Sequence, residues 1–86
     1  GQHGEAEQLA SCYRRCIELA AANGISSIAF PSISTGIYGY PIEEAAAIAV
    51  TTVHSSLANA PAVQEVIFCC FSLRDLAVYQ QVMGRM

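Results

Sequence analysis

Apolar and polar positions alternate with two different periods along the chain, and they predict five elements in the order α-β-α-β-α. From Glu5 to about Asn23, apolar side chains recur every three to four residues, which is typical of an amphipathic helix. The inner face predicted for this helix comprises Leu9, Cys12, Tyr13, Cys16 and Leu19 or Ala20. On its polar side, Arg14 and Glu18 have the spacing of an ion pair. Gly24 is predicted to end the helix, because glycine readily takes the positive φ found at helix C-termini.

Two short apolar runs, Ile25–Ile33 and Val63–Phe71, are predicted to be buried strands of a parallel sheet. The helix between them begins at Pro41, because proline fits the first turn of a helix, and it runs to about Leu57. Its predicted inner stripe comprises Ala46, Ala49, Val50, Val53 and Leu57. The strand–helix–strand order predicts a right-handed crossover.

A last helix is predicted after Ser72, which can cap it, with Asp75 three residues further on. The inner face of this helix is predicted to comprise Leu76, Tyr79, Val82 and Met83. The fold class is therefore α/β. Two parallel strands need cover on both faces and pairing at both edges. We interpret the chain as the C-terminal portion of a larger α/β domain, and the alternative is that two copies complete one another.

Composition narrows the function classes. The chain has 86 residues, enough for one small domain, and a net charge of −3 with only four basic residues. That balance disfavours a DNA or RNA polymer as partner. No apolar run reaches the ~18–20 residues that cross a bilayer, and GQHGEAEQLA lacks the features of a signal peptide. The use of cysteine leads us to expect a cytoplasmic protein. The low charged fraction, 13%, indicates apolar surface that something else covers.

Four cysteines occur as two pairs, Cys12 with Cys16 and Cys69 with Cys70. Neither pair has the spacing of a zinc knuckle, so no metal site is predicted. We interpret the cysteines as buried, reduced thiols that behave as small hydrophobic side chains. A disulfide or a metal site is the alternative.

The uncharged segment SISTGIYGYP, Ser32–Pro41, lies between a predicted strand end and a helix start. Ligands of open α/β sheets sit beyond the carboxyl ends of the strands, and helix N-termini hold phosphate through backbone amides. Gly36 and Gly39 would allow close approach to a ligand. The segment has no lysine, so it is not a nucleotide-triphosphate loop. A purely structural turn is the alternative, with Tyr40 packed in the core.

The segment IAFPSISTGIYGYP resembles the second ligand loop of the macro domain, the ADP-ribose-binding module, and the bacterial MacroD-type branch is the most similar. The flanking segments GEAEQLASCYRRCIELA, IEEAAAIAVTTV and EVIFCCFS resemble the neighbouring helices and the last strand of that family. The resemblance implies a three-layer α/β/α sandwich. Residues 1–86 would be its C-terminal half, without the upstream strands and the first ligand loop.

The resemblance also implies roles for individual residues. Backbone amides from Gly36 to Tyr38 would hold the diphosphate, Tyr38 would orient the distal ribose, and Phe71 would stack on adenine. A core position is the alternative for Phe71. The full set of implied ligand-binding residues is Ser34, Thr35, Gly36, Ile37, Tyr38, Gly39 and Phe71. No catalytic residue, metal or cofactor is expected in this chain.

The function that follows from the resemblance is binding of ADP-ribose. The parent protein would be a hydrolase that removes ADP-ribose from acidic side chains or deacetylates O-acetyl-ADP-ribose, and the 86-residue chain alone would be inactive. The alternatives are a non-catalytic reader of ADP-ribose and a fragment with a structural or interaction role only. Expected partners are ADP-ribose or an ADP-ribosylated protein, with self-association through an exposed sheet edge.

Overall fold

The computed structural model describes residues 5–31, 42–70 and 72–85. They form helix α1 (Glu5–Ala22), strand β1 (Ser27–Pro31), helix α2 (Ile42–Leu57), strand β2 (Glu65–Cys69) and helix α3 (Leu73–Gly84). The predicted order α-β-α-β-α and the α/β class are confirmed. No helix within these ranges is both long enough and apolar enough to cross a bilayer.

Helix α1 ends in a Schellman motif, as the Asn-Gly pair predicts. Gly24 takes a left-handed conformation with φ of 68°. Its amide donates to the carbonyl of Ala21 (3.2 Å), and the Ile25 amide donates to the carbonyl of Ala20 (2.9 Å). Ile25 is therefore part of the helix end, and β1 begins two residues after the predicted start because this residue closes the turn.

The buried stripe of α1 lies slightly to one side of the predicted one. Its buried residues are Leu9, Tyr13, Ile17 and Ala20. Cys12 was expected inside but is exposed, and of the alternatives Leu19 and Ala20 it is Ala20 that is buried, because the stripe follows the positions that face α2 and the sheet. The predicted ion pair of Arg14 with Glu18 is also wrong. Arg14 instead pairs with Glu7, two turns earlier on the same face, at 3.2 Å.

Strands β1 and β2 pair in parallel, with Ser27 opposite Glu65 and Pro31 opposite Cys69. Both strands begin two residues later than predicted, at Ser27 and Glu65. At the N-terminal side of β2, Val63 is buried in a turn, where its amide donates to the carbonyl of Ala60 (3.0 Å), so it cannot join the sheet.

The two faces of the sheet differ in their surroundings. We call one the covered face; it comprises Ile28, Phe30, Val66 and Phe68, all buried or half-buried. We call the other the open face; it comprises Ser27, Ala29, Pro31, Glu65, Ile67 and Cys69, all exposed. The expectation that both strands are buried is therefore wrong within the described ranges, because the described helices pack on one face only.

The helices meet over the covered face. Helix α2 lies between α1 and α3 and contacts both. Its buried residues are Ile42, Ala45, Ala46, Ala49, Val50 and Val53. Ile42 and Ala45 were not predicted to be buried, and Leu57, which was, is half-buried. The alanines allow close packing of neighbouring helices. On α3, Tyr79 and Val82 are buried, but Leu76 and Met83 are 41% and 51% exposed, so the predicted inner face is only partly correct.

Candidate functional site

The carboxyl ends of both strands lie side by side. Pro31 ends β1 and Cys69 ends β2, and these two residues are paired in the sheet. Residues 32–41 follow β1 directly, and Phe71 follows β2 after one intervening residue. The two segments implied to hold a ligand therefore leave the sheet at the same edge, on neighbouring strands. This is the edge at which α/β folds bind ligands.

The start of α2 lies at the end of the same connection. Ile42, the first residue of this helix, is buried, so the helix N-terminus is anchored in the core. Glu43 and Glu44 follow in the first turn and are exposed. Acidic side chains at this position stabilise the positive end of the helix dipole. The two carboxylates thus serve the helix, as their sequence position indicates.

The exit of β2 is held by side-chain contacts with the backbone. The Cys70 thiol donates to the carbonyl of Phe68 at 4.0 Å. Ser72 caps α3: its hydroxyl accepts from the amide of Asp75 at 3.0 Å, and its carbonyl accepts from the amide of Leu76 at 3.0 Å. The predicted cap is confirmed. It fixes the start of α3 at Leu73.

Four aromatic rings hold the strands against the helices on the covered face. Phe30 and Phe68, partners in the sheet, stack with ring centroids 6.1 Å apart. Tyr13 of α1 meets Phe30 edge-on at 5.0 Å and Phe68 at 6.5 Å. Tyr79 of α3 lies 5.3 Å from Phe68. This aromatic cluster joins both strands to two helices, close to the edge that we consider as the site.

The sequence interpretation missed the aromatic cluster as a unit. It placed Tyr13 and Tyr79 on inner helix faces and included Phe30 in the predicted strand Ile25–Ile33, but it did not bring them together. The pairing of Phe30 with Phe68 depends on the strand register, and periodicity within one element does not report a register. An aromatic residue at the middle of each strand and on each flanking helix is the signal that could have suggested it.

Titratable groups near the β2 exit are shifted towards their neutral forms. Burial raises the pKa of Tyr79, with smaller contributions from Cys70 and Asp75, while a hydrogen bond with Tyr13 lowers it. Burial also raises the pKa of Cys70, and the nearby Asp75 and Cys69 add to the effect. A thiol held neutral is a poor nucleophile, so Cys70 is a packing residue at this position.

Two cavities in the described part of the chain are lined by residues other than the strand ends Pro31 and Cys69. One, of 460 Å³, is formed by α1 and the C-terminal half of α2, and hydroxyl groups from Thr51 to Ser56 line it. The other, of 220 Å³, is mostly apolar and includes His54, which is exposed. Within the described residues no group of three or more His, Cys, Asp and Glu side chains could hold a metal ion.

The structure describes the surroundings of the implied ligand-binding residues. Pro31, Cys70 and Ser72 lie where the resemblance would put the ends of the two ligand segments. The implied residues themselves fall outside the described ranges: Ser34, Thr35, Gly36, Ile37, Tyr38, Gly39 and Phe71. Their roles stay predictions.

Comparisons with known proteins give a consistent picture. The chain is 63% identical over 84 residues to a macro domain-containing protein of Chlorobaculum tepidum, covering 98% of this chain and 49% of that protein. It is 48% identical over 84 residues to an O-acetyl-ADP-ribose deacetylase of Klebsiella pneumoniae, covering 98% of this chain and 48% of that protein. The chain thus spans about half the length of the curated relatives it matches.

Solved structures share the fold. The Oceanobacillus iheyensis macrodomain with ADP is 48% identical, with a TM-score of 0.82, and the match covers 93% of this chain and 42% of that one. The Trypanosoma brucei macrodomain in complex with ADP-ribose is 35% identical, with a TM-score of 0.84, covering 92% of this chain and 34% of that one. The family model of the macro domain matches residues 1–49, more than half of the sequence. This chain therefore belongs to the macro domain family.

Proposed function

We propose that this chain supplies the diphosphate- and ribose-binding side of an ADP-ribose site at the carboxyl edge of its sheet. The observation that carries the proposal is the pairing of Pro31 with Cys69, which sets the exits of both ligand segments side by side. The solved macrodomains with ADP and with ADP-ribose align with more than nine tenths of this chain, which supports the same ligand class.

In this proposal the amides of Gly36 to Tyr38 bind the diphosphate, and the hydroxyls of Ser34 and Thr35 add donors. Amide donors next to the positive end of α2 can hold an anion without a basic side chain. Ile37 and Gly39 complete the channel. Tyr38 orients the distal ribose and Phe71 stacks on the adenine.

For the whole protein, we propose that residues 1–86 are the C-terminal half of a macro domain with hydrolase activity. Its substrate would be an ADP-ribose ester, either on an acidic side chain of a protein or in O-acetyl-ADP-ribose. The relative from Klebsiella pneumoniae, an O-acetyl-ADP-ribose deacetylase, supports this class of reaction. The isolated chain is expected to show no turnover, since the acidic residue needed for hydrolysis, which we call the catalytic acid, is expected in the other half of the domain. Four free cysteines fit the cytoplasmic location that we propose.

Calorimetric titration of the 86-residue chain with ADP-ribose tests the binding proposal. We expect weak but saturable binding, because half a pocket offers only part of the contacts. Gly36→Ala should abolish it, since a side chain at Gly36 would keep the amides from the phosphate. The matched control is Gly84→Ala at the end of α3, where an added Cβ meets no atom within 4 Å. Absence of heat from the wild-type chain would favour a purely structural role.

The whole protein separates a hydrolase from a reader. Incubation with an ester-linked ADP-ribosylated peptide should release ADP-ribose if the protein is a hydrolase. Binding of the same peptide without release would instead identify a reader. The isolated chain serves as the negative control, and brisk release by the chain alone would contradict the proposal that the other half carries the catalytic acid.

We further propose that the isolated chain self-associates. The open face includes Ile67, which is 45% exposed, and the two-stranded sheet lacks further pairing within the described residues. Unpaired strand edges and exposed apolar side chains favour association. Sedimentation velocity should therefore show dimers or larger species, and Ile67→Arg should shift them towards the monomer. A wild-type chain that sediments as a monomer at all concentrations would refute this.

A further inference from the structure

Helix α1 carries two thiols one turn apart, outside the proposed ADP-ribose site. Cys12 is exposed, Cys16 is half-buried, and neither forms a disulfide. Their spacing of four residues puts both side chains on the same side of the helix. The buried stripe through Leu9 and Tyr13 runs beside them, so the pair lies at the border between core and solvent.

The helix spacing decides what this pair can form. Residues four apart on a helix have Cβ atoms about 5–6 Å apart. A disulfide requires Cβ atoms about 3.5–4.5 Å apart, so a direct sulfur–sulfur bond would distort α1. An atom inserted between the sulfurs adds two bonds of about 2.3 Å, the length of a typical metal–sulfur bond, and therefore spans the wider gap. The geometry thus favours a bridging atom over a disulfide.

The two thiols are also close enough to influence each other. Burial raises the pKa of Cys16, and the neighbouring Cys12 raises it further. Two thiols held on the same side of one helix need little rearrangement to take a common ligand, so little side-chain entropy is lost on binding.

We propose that Cys12 and Cys16 form a two-thiol site that chelates a thiophilic metalloid of the trivalent arsenic class. With an aryl arsenic oxide, the arsenic–oxygen double bond breaks and two arsenic–sulfur bonds form. The two thiol protons leave with the oxygen as one water molecule. Arsenic stays trivalent and sulfur keeps its oxidation state, so the step needs no oxidant or reductant.

The second cysteine pair provides an internal control. Cys69 and Cys70 are adjacent, and Cys69 belongs to the open face while Cys70 packs against the core. Cys69 ends β2 with its side chain exposed, and Cys70 follows it with its side chain against the core, so these two thiols cannot converge on one atom without local unfolding. Accessibility alone would favour Cys69 as much as Cys12, whereas chelation selects the pair on α1.

Native mass spectrometry with phenylarsine oxide and a competing excess of a monothiol tests the site. We expect one arsenical per chain in the wild type and in the C69S/C70S variant. C12S and C16S should retain roughly 10²-fold less, because each loses the second linked contact. Circular dichroism checks that α1 is intact in each variant. If C16S fails to fold, C12S alone still tests the site, because Cys12 is exposed and its replacement leaves the core unchanged.

Three outcomes would overturn the proposal. The first is retention of the arsenical by folded C12S. The second is loss of the arsenical in C69S/C70S. The third is an adduct in which one arsenic joins two chains, because that would show thiols from different copies as the ligands.

Discussion

The covered and open faces of the sheet both carry apolar side chains, but their surroundings differ. Ile28 and Val66 on the covered face are half-buried beneath helices, while Ala29 and Ile67 on the open face are exposed. Apolar side chains therefore occur on both sides of the strands, as is typical of parallel sheets with cover on both faces, although the open face also carries the polar pair Ser27 and Glu65. The difference teaches that an apolar strand residue stabilises the described fold only where a helix covers it.

Substitution on each face should produce the largest contrast. Phe30→Ala removes a ring that is 8% exposed and contacts both Tyr13 and Phe68, so we expect a loss of about 3–5 kcal/mol in the free energy of unfolding. Ile67→Thr on the open face keeps a β-branched side chain and should change it by about 0.5 kcal/mol or less. Urea denaturation measures both. Similar losses from the two variants would show that the open face is also packed.

A smaller effect is expected from the hydroxyl of Tyr79, which is buried on the inner side of α3 and interacts with the side chain of Tyr13. Tyr79→Phe removes that interaction and leaves the Tyr13 hydroxyl buried, so at neutral pH the free energy of unfolding should fall by about 1 kcal/mol or less. Thermal denaturation measures the change. An unchanged midpoint would mean that the two hydroxyls contribute nothing to the packing of α1 against α3.

The same substitution predicts a pH dependence. The folded-state pKa of Tyr79 is raised, mainly by burial, above an unfolded value of about 10. Its contribution to stability is therefore fully present below pH about 10 and is lost as pH rises through the folded pKa. The sequence has no lysine, so amines of side chains do not obscure this range. The free energy of unfolding, measured by urea denaturation, should fall less steeply with pH above about 10 for Tyr79→Phe than for the wild type. An equal fall in both proteins would contradict the raised pKa of Tyr79.

The cap of α3 should have an effect of comparable or smaller size. Ser72→Ala removes the acceptor for the amide of Asp75 and should cost about 1 kcal/mol. Ser72→Asp keeps an acceptor at the same position and serves as the control. Hydrogen exchange of the Asp75 amide checks the mechanism, since it should accelerate in the alanine variant and stay protected in the aspartate variant.

The smallest effect on stability, and the sharpest contrast in reactivity, is expected for the adjacent cysteines. Cys69 is exposed on the open face, whereas Cys70 is half-buried and has a raised pKa. Iodoacetamide should therefore alkylate Cys69 first, and peptide mapping would locate the label. Cys69→Ser should leave the unfolding free energy unchanged within about 0.5 kcal/mol. Equal labelling of both thiols would mean that the β2 exit opens readily.

Local signals in the sequence predicted local structure well. The Asn-Gly pair predicted the end of α1, and Ser72 with Asp75 predicted the start of α3, because capping depends on residues within one turn. The parallel strands and the crossover helix followed from element order. The prediction that all four thiols are buried was wrong for Cys12 and Cys69, which are exposed.

Features that depend on distant contacts were not predictable in the same way. The partner of Arg14 depends on which of several acidic residues its side chain reaches, and Glu7 is seven residues away. The one-sided packing of the sheet depends on where the helices settle, not on the strands themselves. For the candidate site, element order alone predicted that both ligand segments leave the sheet at its carboxyl edge, whereas the ligand contacts depend on residues 32–41 and 71, outside the described ranges, and stay a prediction.

The stack of Phe30 on Phe68 has a consequence for any ligand at the carboxyl edge. If β2 slid by one residue along β1, its side chains would exchange faces and Phe68 would leave the core. The segments after Pro31 and Cys69 would then also be displaced relative to each other by about 3.3 Å, the rise of one strand residue. The aromatic pair thus fixes the register of the two strands, and with it the relative position of the two segments that leave the proposed binding edge.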